Sequence, residues 1–207
     1  MPRRPPAEAT AESPAGPVLD RRLADAVERL GHGLRSLAQQ TARVEGLTPL
    51  QQNVLLLLQR PSGLHEVGAL AAEVDVTVPT MSDAVAALDR KGLIQRVVGQ
   101  DARRRRLSLT AEGRRVAARL AEWDAPLLRA LARHDETQKA IALDVVLDVI
   151  GSLAGDGTIA AARACSTCRF FQRDVGADPA TPHFCGLIEL PLALPELRVD
   201  CPEHRAV

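Results

Sequence analysis

Four cysteines fall between residues 165 and 201, and none occurs elsewhere in the 207-residue chain. They are spaced Cys165-x2-Cys168-x16-Cys185-x15-Cys201. A Cys-x-x-Cys pair brings two thiolates to one centre through a tight turn, and two further cysteines complete a set of four sulfur ligands. Such a set suits an iron–sulfur cluster (2Fe-2S or 4Fe-4S) or a tetrahedral zinc ion. A metal-free redox disulfide pair is the remaining chemistry. Zinc ribbons usually carry two Cys-x-x-Cys knuckles, and here there is one. Pro202 follows the last cysteine, as in many cluster-binding segments. The three Phe residues of the chain, Phe170, Phe171 and Phe184, lie here with Leu187 and can shield a cluster from water. The leading expectation is therefore an iron–sulfur cluster, with zinc as the alternative. His183 and His204 stand two and three residues from a cysteine and can replace a thiolate, although places beside the ligands or at the surface suit them better. His32, His65 and His134 stand alone and read as structural or surface residues.

The second chemical feature is the run Asp101-Ala102-Arg103-Arg104-Arg105-Arg106. Consecutive arginines repel one another, so the run needs a polyanion or a solvated loop. From Val78 to Arg119 there are ten Lys/Arg and four Asp/Glu, a local excess of +6; the formal net charge of +0 leaves −6 for the rest. Such asymmetry points to one face meeting nucleic acid.

The elements around the run fit that reading. Leu19, Leu23, Ala26, Val27, Leu30, Leu34, Leu37 and Ala38 recur at helical steps, predicting an amphipathic helix over 18–44 that Gly46 stops. Thr48 caps and Pro49 opens a helix over 49–60, whose run Val54–Leu58 is expected to be buried. Pro61-Ser62-Gly63 ends it. A short helix over Val67–Val74, a turn over 75–78 and a helix from Pro79 to Lys91, closed by Gly92, give a helix-turn-helix. Leu93–Val98 and Arg105–Leu109 read as strands around a tip at 99–104, and Thr110 caps a helix to about Ala121. Helical pattern continues after Trp123–Pro126 toward His134, then over 135–154 with Ile141, Val145 and Val149 on an apolar stripe. Gly155-Asp156-Gly157 reads as a hinge to the cysteine segment. The fold expected is mainly α with a small β-hairpin wing. Its parts are a disordered arm (1–17), a dimerisation helix (18–47), a winged helix-turn-helix (48–121), further dimerisation helices (122–156) and a cysteine segment (157–207).

These residues resemble the MarR family of winged-helix transcription regulators over roughly 18–154. The resemblance rests on Leu70-Ala71-Ala72 through Gly92-Leu93-Ile94-Gln95-Arg96, then Asp101-x-Arg103, then Leu109-Thr110-x-x-Gly113. It implies an obligate homodimer with interlocking first and last helices, bound to a pseudo-palindromic operator in double-stranded DNA. The apolar stripe of 18–44 independently asks for a partner surface, and a dimer contact with 135–154 supplies one. The resemblance places Arg103 in the minor groove, where narrow A-tracts attract guanidinium. Asp101 then holds that arginine or shapes the turn, and Arg104, Arg105 and Arg106 complete the basic tip. The family pattern has no counterpart to the cysteine segment.

In the reading helix, Pro79 opens the first turn, and Thr80 and Ser82 offer hydroxyls to base edges or phosphates, or serve as caps. Asp83 stands where many relatives carry a basic residue. It can accept from cytosine N4 or pair with a nearby arginine. Arg90 and Lys91, at the far end, suit the DNA backbone.

Composition bounds the alternatives. Hydrophobic residues make up 46% and aromatic residues 2%, so the core is aliphatic and single-strand stacking is disfavoured. No apolar run reaches the roughly 20 residues of a membrane span. Without an apolar signal stretch at the N-terminus, a cytoplasmic protein is expected, where clustered cysteines serve metal or redox chemistry. Paired carboxylates, a nucleophile with its base and a phosphate loop are all missing, which argues against an enzyme. The function expected is a homodimeric regulator, a repressor, whose cluster senses iron, oxygen or redox state. The alternative is the same regulator with a structural zinc and a small apolar ligand between its dimer and DNA-binding parts.

Overall fold

The computed structural model describes residues 16–60, 65–98, 105–160 and 163–207. The wing-tip residues Asp101, Arg103 and Arg104, the breaker Pro61-Ser62-Gly63 and residues 1–15 of the arm lie outside the described residues.

Seven α-helices are described: α1 (Gly16–Val44), α2 (Pro49–Gln59), α3 (Val67–Glu73), α4 (Val78–Arg90), α5 (Ala111–Leu120), α6 (Ala125–Leu131) and α7 (Glu136–Gly155). Helix α1 takes in Gly16 and Pro17, which the sequence pattern assigns to the arm. Gly46 turns the chain at φ +65°, and Thr48 opens α2 with a full capping box to Gln51. In the run 54–58, Val54, Leu55, Leu57 and Leu58 are buried and Leu56 is half-buried.

Helices α2 to α5 wrap one aliphatic core with the antiparallel hairpin β1 (Ile94–Val98) and β2 (Arg105–Leu109). Its largest members include Leu55, Leu70, Met81, Leu88, Ile94, Leu107 and Leu120. His65 extends the hairpin edge: its backbone carbonyl accepts from Leu107 N–H at 2.8 Å, and its Nδ1 donates to the Leu107 carbonyl at 3.0 Å. The described parts form a mainly helical winged helix-turn-helix.

The Leu-Thr-x-x-Gly sequence at the start of α5 has a steric origin. The Thr110 hydroxyl accepts from Gly113 N–H at 3.0 Å, capping α5, and donates to the Gly92 carbonyl at 2.7 Å. Thr110 N–H donates to the Leu93 carbonyl at 3.1 Å. These bonds press the first turn of α5 against Leu93 so closely that a Cβ on Gly113 would run into the Leu93 carbonyl. Gly92, at φ +69°, makes the preceding turn between α4 and the hairpin.

The C-terminal residues do not hang from a free hinge. Gly155 lies inside α7, only Gly157 has a positive φ (+70°), and the chain folds back onto α7. A 3-10 turn (Cys165–Thr167) and a three-stranded antiparallel sheet follow, built from β3 (Phe171–Gln172), β4 (His183–Cys185) and β5 (Leu190–Leu192). Leu147 of α7, Ala164 and Leu197 form their core, with Leu143, Phe171, Leu192 and Leu194 packed around it. Gly151 lets Ser166 approach to 3.0 Å of where its Cβ would lie. Arg173 fixes the sheet electrostatically, with its guanidinium 2.7 Å from Asp144 and 3.2 Å from Asp148 on α7.

Replacing Gly113 with Ala should cost about 1–3 kcal/mol through forced overpacking. Denaturant unfolding measures this, and an unchanged midpoint would show that the close approach is dispensable. Replacing Arg173 with Gln should cost about 1.5–3 kcal/mol, the range for hydrogen bonds to charged groups. It should expose residues 163–207 to limited proteolysis while α2–α5 stay resistant; equal resistance of both regions would refute the anchoring role.

Candidate nucleic-acid interface and metal centre

The reading helix begins one residue earlier than its proline suggests. Thr77 is the N-cap of α4, its hydroxyl accepting from Thr80 N–H at 3.3 Å, and Pro79 occupies the second helical position. A cap oxygen three residues before a free N–H satisfies one of the open donors of a helix start, which outweighs the proline signal. The Thr80 hydroxyl also hydrogen-bonds Thr77 Oγ1 at 2.8 Å, so it completes the cap. Pro79, Ser82 and Asp83 are exposed, and neither Ser82 nor Asp83 has a side-chain partner among the described residues. Met81, Ala84, Val85 and Leu88 bury the opposite face and hold α4 against the core.

Sequence reasoning passed over Val78. It is 52% exposed at the first position of α4, beside Pro79. An apolar side chain there can contact a thymine methyl. The signal was available: a valine directly after a capping threonine lies at the tip of the helix, where no core reaches it.

The far end of α4 divides its two basic residues. Arg90 is exposed and has no partner among the described residues. Lys91 is the C-cap, and its ammonium donates to the Gly46 carbonyl at 2.6 Å and to Gln51 Oε1 at 3.3 Å. It ties α4 to the turn between α1 and α2. In the hairpin, Arg106 is exposed on β2 opposite Val97, and Arg96 is exposed on β1. Arg105 opens β2, while Arg103 and Arg104 lie outside the described residues.

The cysteines reach one region from three pieces of chain. Cys165 and Cys168 flank the 3-10 turn, Cys185 ends β4 opposite Phe171, and Cys201 lies in the last loop. All four are free, half-buried thiols. Burial pushes the Cys165 thiol up. The backbone N–H of Arg198, donating to its sulfur at 3.2 Å, opposes that, and Cys201, Cys185 and Cys168 raise it further. Cys165 therefore lies within the field of the other three thiols. The Arg198 guanidinium also reaches Cys201 Sγ at 3.9 Å. Among the described residues, no group of three or more His, Cys, Asp or Glu is arranged to hold a metal ion.

Neither histidine of the segment is drawn to the thiols. His183 is 1% exposed, and its Nδ1 accepts from Asp174 N–H at 3.2 Å. Its Nε2 lies 3.5 Å from Asp144 of α7, and its ring packs on Phe171. His204 Nε2 donates to the Thr167 carbonyl at 3.0 Å, closing the C-terminal strand over the 3-10 turn. Phe170, Phe171 and Phe184 are half-buried. Leu187 is 41% exposed.

The first half of α1 leaves Val18, Leu19, Leu23, Val27 and Leu30 exposed, and α7 leaves Ile141, Val145, Val146 and Val149 exposed. No described helix is long and apolar enough to cross a membrane.

No protein-family model matches the chain, and no curated protein matches it. Solved structures do. The MarR family transcription regulator SP03579 is 21% identical with a TM-score of 0.58, covering 70% of this chain and 98% of its own. The MepR–DNA complex of S. aureus is 25% identical with a TM-score of 0.53, covering 63% and 97%. A MepR mutant from a multidrug-resistant S. aureus clinical isolate is 23% identical with a TM-score of 0.52, covering 63% and 96%. Nearly the whole of each neighbour is matched by about two thirds of this chain, which leaves about a third of it without a counterpart there. The chain thus has the winged helix-turn-helix fold of the MarR family regulator SP03579, with residues to spare beyond it.

Proposed function

We propose that the chain is a homodimeric, sequence-specific DNA-binding regulator of the MarR type, a cytoplasmic repressor. We infer further that its operator binding is controlled by an iron–sulfur cluster on Cys165, Cys168, Cys185 and Cys201. The observation that carries the DNA reading is the start of α4, where Val78, Pro79, Ser82 and Asp83 stand exposed on a rigidly backed helix beside a basic wing. A related fold, that of MepR, has been solved with DNA. The uncovered apolar stripes of α1 and α7 support a second copy as partner, because a stripe of that length seeks burial. Two copies present two α4 helices, as a pseudo-palindromic duplex requires.

In this reading Ser82 and Asp83 read bases, with Asp83 suited to cytosine N4 and Val78 to a thymine methyl. Arg90, Arg96 and Arg106 serve phosphates in it, together with Arg104 and Arg105, and Arg103 enters the minor groove. Lys91 holds α4 in position.

A single Cys-x-x-Cys knuckle, with Pro202 directly after the last cysteine, favours a cluster over zinc, whose ribbons usually carry two such knuckles. A bound cluster supplies a centre whose assembly and oxidation follow iron, oxygen and redox state. The protein contributes the Arg198 donors to Cys165 and Cys201 and the Phe170, Phe171 and Phe184 walls. Segment order then shifts the population between spacings of the two α4 helices that fit an operator and spacings that do not.

A second reading has its own observation. A cavity of about 250 Å³ lies between α1, α2 and Trp123, lined by Ala38, Gln52, Asn53 and Leu56. Gln52 is 1% exposed, and neither amide atom has a hydrogen-bond partner. A small ligand with both a donor and an acceptor would satisfy it, with the cysteine segment then holding a structural zinc. The polar lining changes the expected ligand from purely apolar to amphipathic.

The deciding experiment purifies the full chain without oxygen, records its absorption spectrum, and quantifies iron, sulfide and zinc. A duplex selected from a random library is then titrated with loaded and metal-stripped protein. The proposal expects brown protein and affinities differing by about tenfold or more. Colourless protein with one zinc per chain and equal affinities would leave the second reading. In the same titration, Arg90→Gln should lower the salt slope by roughly one. Lys91→Met should leave that slope unchanged and lower thermal stability instead; a reduced slope for it would mean that its ammonium meets phosphate.

A further inference from the structure

We propose that Asp200 is the positioning residue that passes the state of the four-cysteine centre to the reading head of the same subunit, through its ion pair with Arg60. This rests on the reading of the cysteines as a sensing centre.

Asp200 immediately precedes Cys201, and its side chain is 21% exposed. One carboxylate oxygen lies 3.6 Å from Arg163 Nε and the other 3.7 Å from Arg60 Nη1. Arg163 clasps the same loop from the backbone side. Its carbonyl accepts from Cys201 N–H at 2.8 Å, and its guanidinium donates to the carbonyls of Cys201 and Pro202 at 3.0 and 3.1 Å. The position of Cys201 and the position of the Asp200 carboxylate are therefore one variable. A change that moves the sulfur moves the carboxylate.

The other end of the bridge belongs to the DNA-binding unit. Arg60 is the C-cap of α2, with its backbone N–H bonded to the Leu57 carbonyl in the main core. Glu73, the last residue of α3, completes the group. Burial raises its carboxyl, Asp200 raises it further, and Arg163 and Arg60 oppose both. Glu73 and Arg60 line the same cavity, so Asp200, paired with Arg60, places its charge beside the end of α3. Withdrawing Asp200 removes that charge and changes the balance of forces at the end of α3. Residues 74–77 alone separate that end from Val78, where α4 begins.

The opposite side of the segment is fixed. Leu147, Gly151, Asp144 and Asp148 of α7 hold it through apolar packing, close approach and Arg173. No residue of α2–α5 belongs to that apolar core. A segment bonded firmly to α7 and tied to the C-cap of α2 by the 3.7 Å pair of Asp200 with a half-exposed Arg60 has its weaker attachment at the reading head. Relaxation of the Cys201 loop is released at that attachment.

The test uses the full chain, loaded with its iron centre or stripped by chelation without oxygen, and titrated with a duplex selected by wild-type protein. The wild type should show about tenfold or more between loaded and stripped affinities. Arg60→Gln and Asp200→Asn should retain the iron content and visible spectrum while that ratio collapses to within about twofold. Arg60→Lys, which keeps the charge, should recover part of it. A full wild-type ratio in both Arg60→Gln and Asp200→Asn overturns the relay and leaves the sensing function standing. A ratio of one in the wild type removes the sensing function, and the relay with it. Should the variants fail to fold, hydrogen exchange on the wild type decides: stripping the centre should speed exchange over residues 65–90, and unaltered exchange there overturns the relay.

Discussion

Leu147 is the one residue of α7 that the chain buries, and the cysteine segment is what buries it. The remaining geometry follows from that contact. A segment of this size cannot assemble a core alone, so it borrows a helix face. The borrowed face is the side of α7 that carries Leu143, Asp144, Leu147 and Gly151, spaced at helical steps. Ile141, Val145 and Val149 are left exposed on the other side. One helix thereby carries a covered face and an uncovered apolar one. Whatever reshapes the cysteine segment acts on the helix that bears both.

The winged unit shows the opposite economy. Its core is complete without the segment, and its internal angles are fixed by backbone contacts that admit little adjustment. The Leu93 carbonyl, the Thr110 hydroxyl and the bare Cα of Gly113 lock α5 to the hairpin. Lys91 locks α4 to the turn after α1, and Arg119 holds Glu45 through two hydrogen bonds of 2.7 and 2.8 Å. The Arg119 donors hold the Glu45 carboxyl below its ordinary range. A head locked in this way moves as a body. Signals are then better delivered to its edges, at Arg60 and Glu73, than into its interior.

The fold was largely legible in the sequence because its markers are local. Thr48 with Pro49, Thr110 with Gly113, and Asp135 before α7 are caps whose partners lie three residues away, and the strands 94–98 and 105–109 alternate within five residues. The structure departs from the sequence pattern at one local cap and at contacts between distant residues. Thr77, two residues before Pro79, supplies the cap of α4. Lys91 reaches Gly46, 45 residues away, a contact that its position at the helix end does not reveal. Gly155-Asp156-Gly157 looked like a free hinge because nothing in that tripeptide reveals Leu147 and Arg173 drawing the segment back. The cysteine spacing points to a four-sulfur site and draws in His183, yet it is silent on Asp200, on Arg198 and on the turn of His183 toward Asp144. Their roles depend on a fold that only long-range packing creates.

His183 shows why the segment is more than a holder of ligands. An imidazole two residues from Cys185 is chemically able to ligate, but the fold turns it into contact with Asp144 and Phe171. Cys185 and His183 share β4, and side chains two apart lie on the same face of a strand. The sheet twist and the 3-10 turn at 165–167 must then decide which group meets the other thiols. The fold thus commits His183 to the polar, carboxylate-linked anchor on α7, while the four thiols stay half-buried. Arg173 and two aspartates hold the segment against that helix, and the pair of Asp200 with Arg60 gives it a second attachment at the end of α2. A segment held from two sides is fixed in orientation by contacts that lie outside its own sequence.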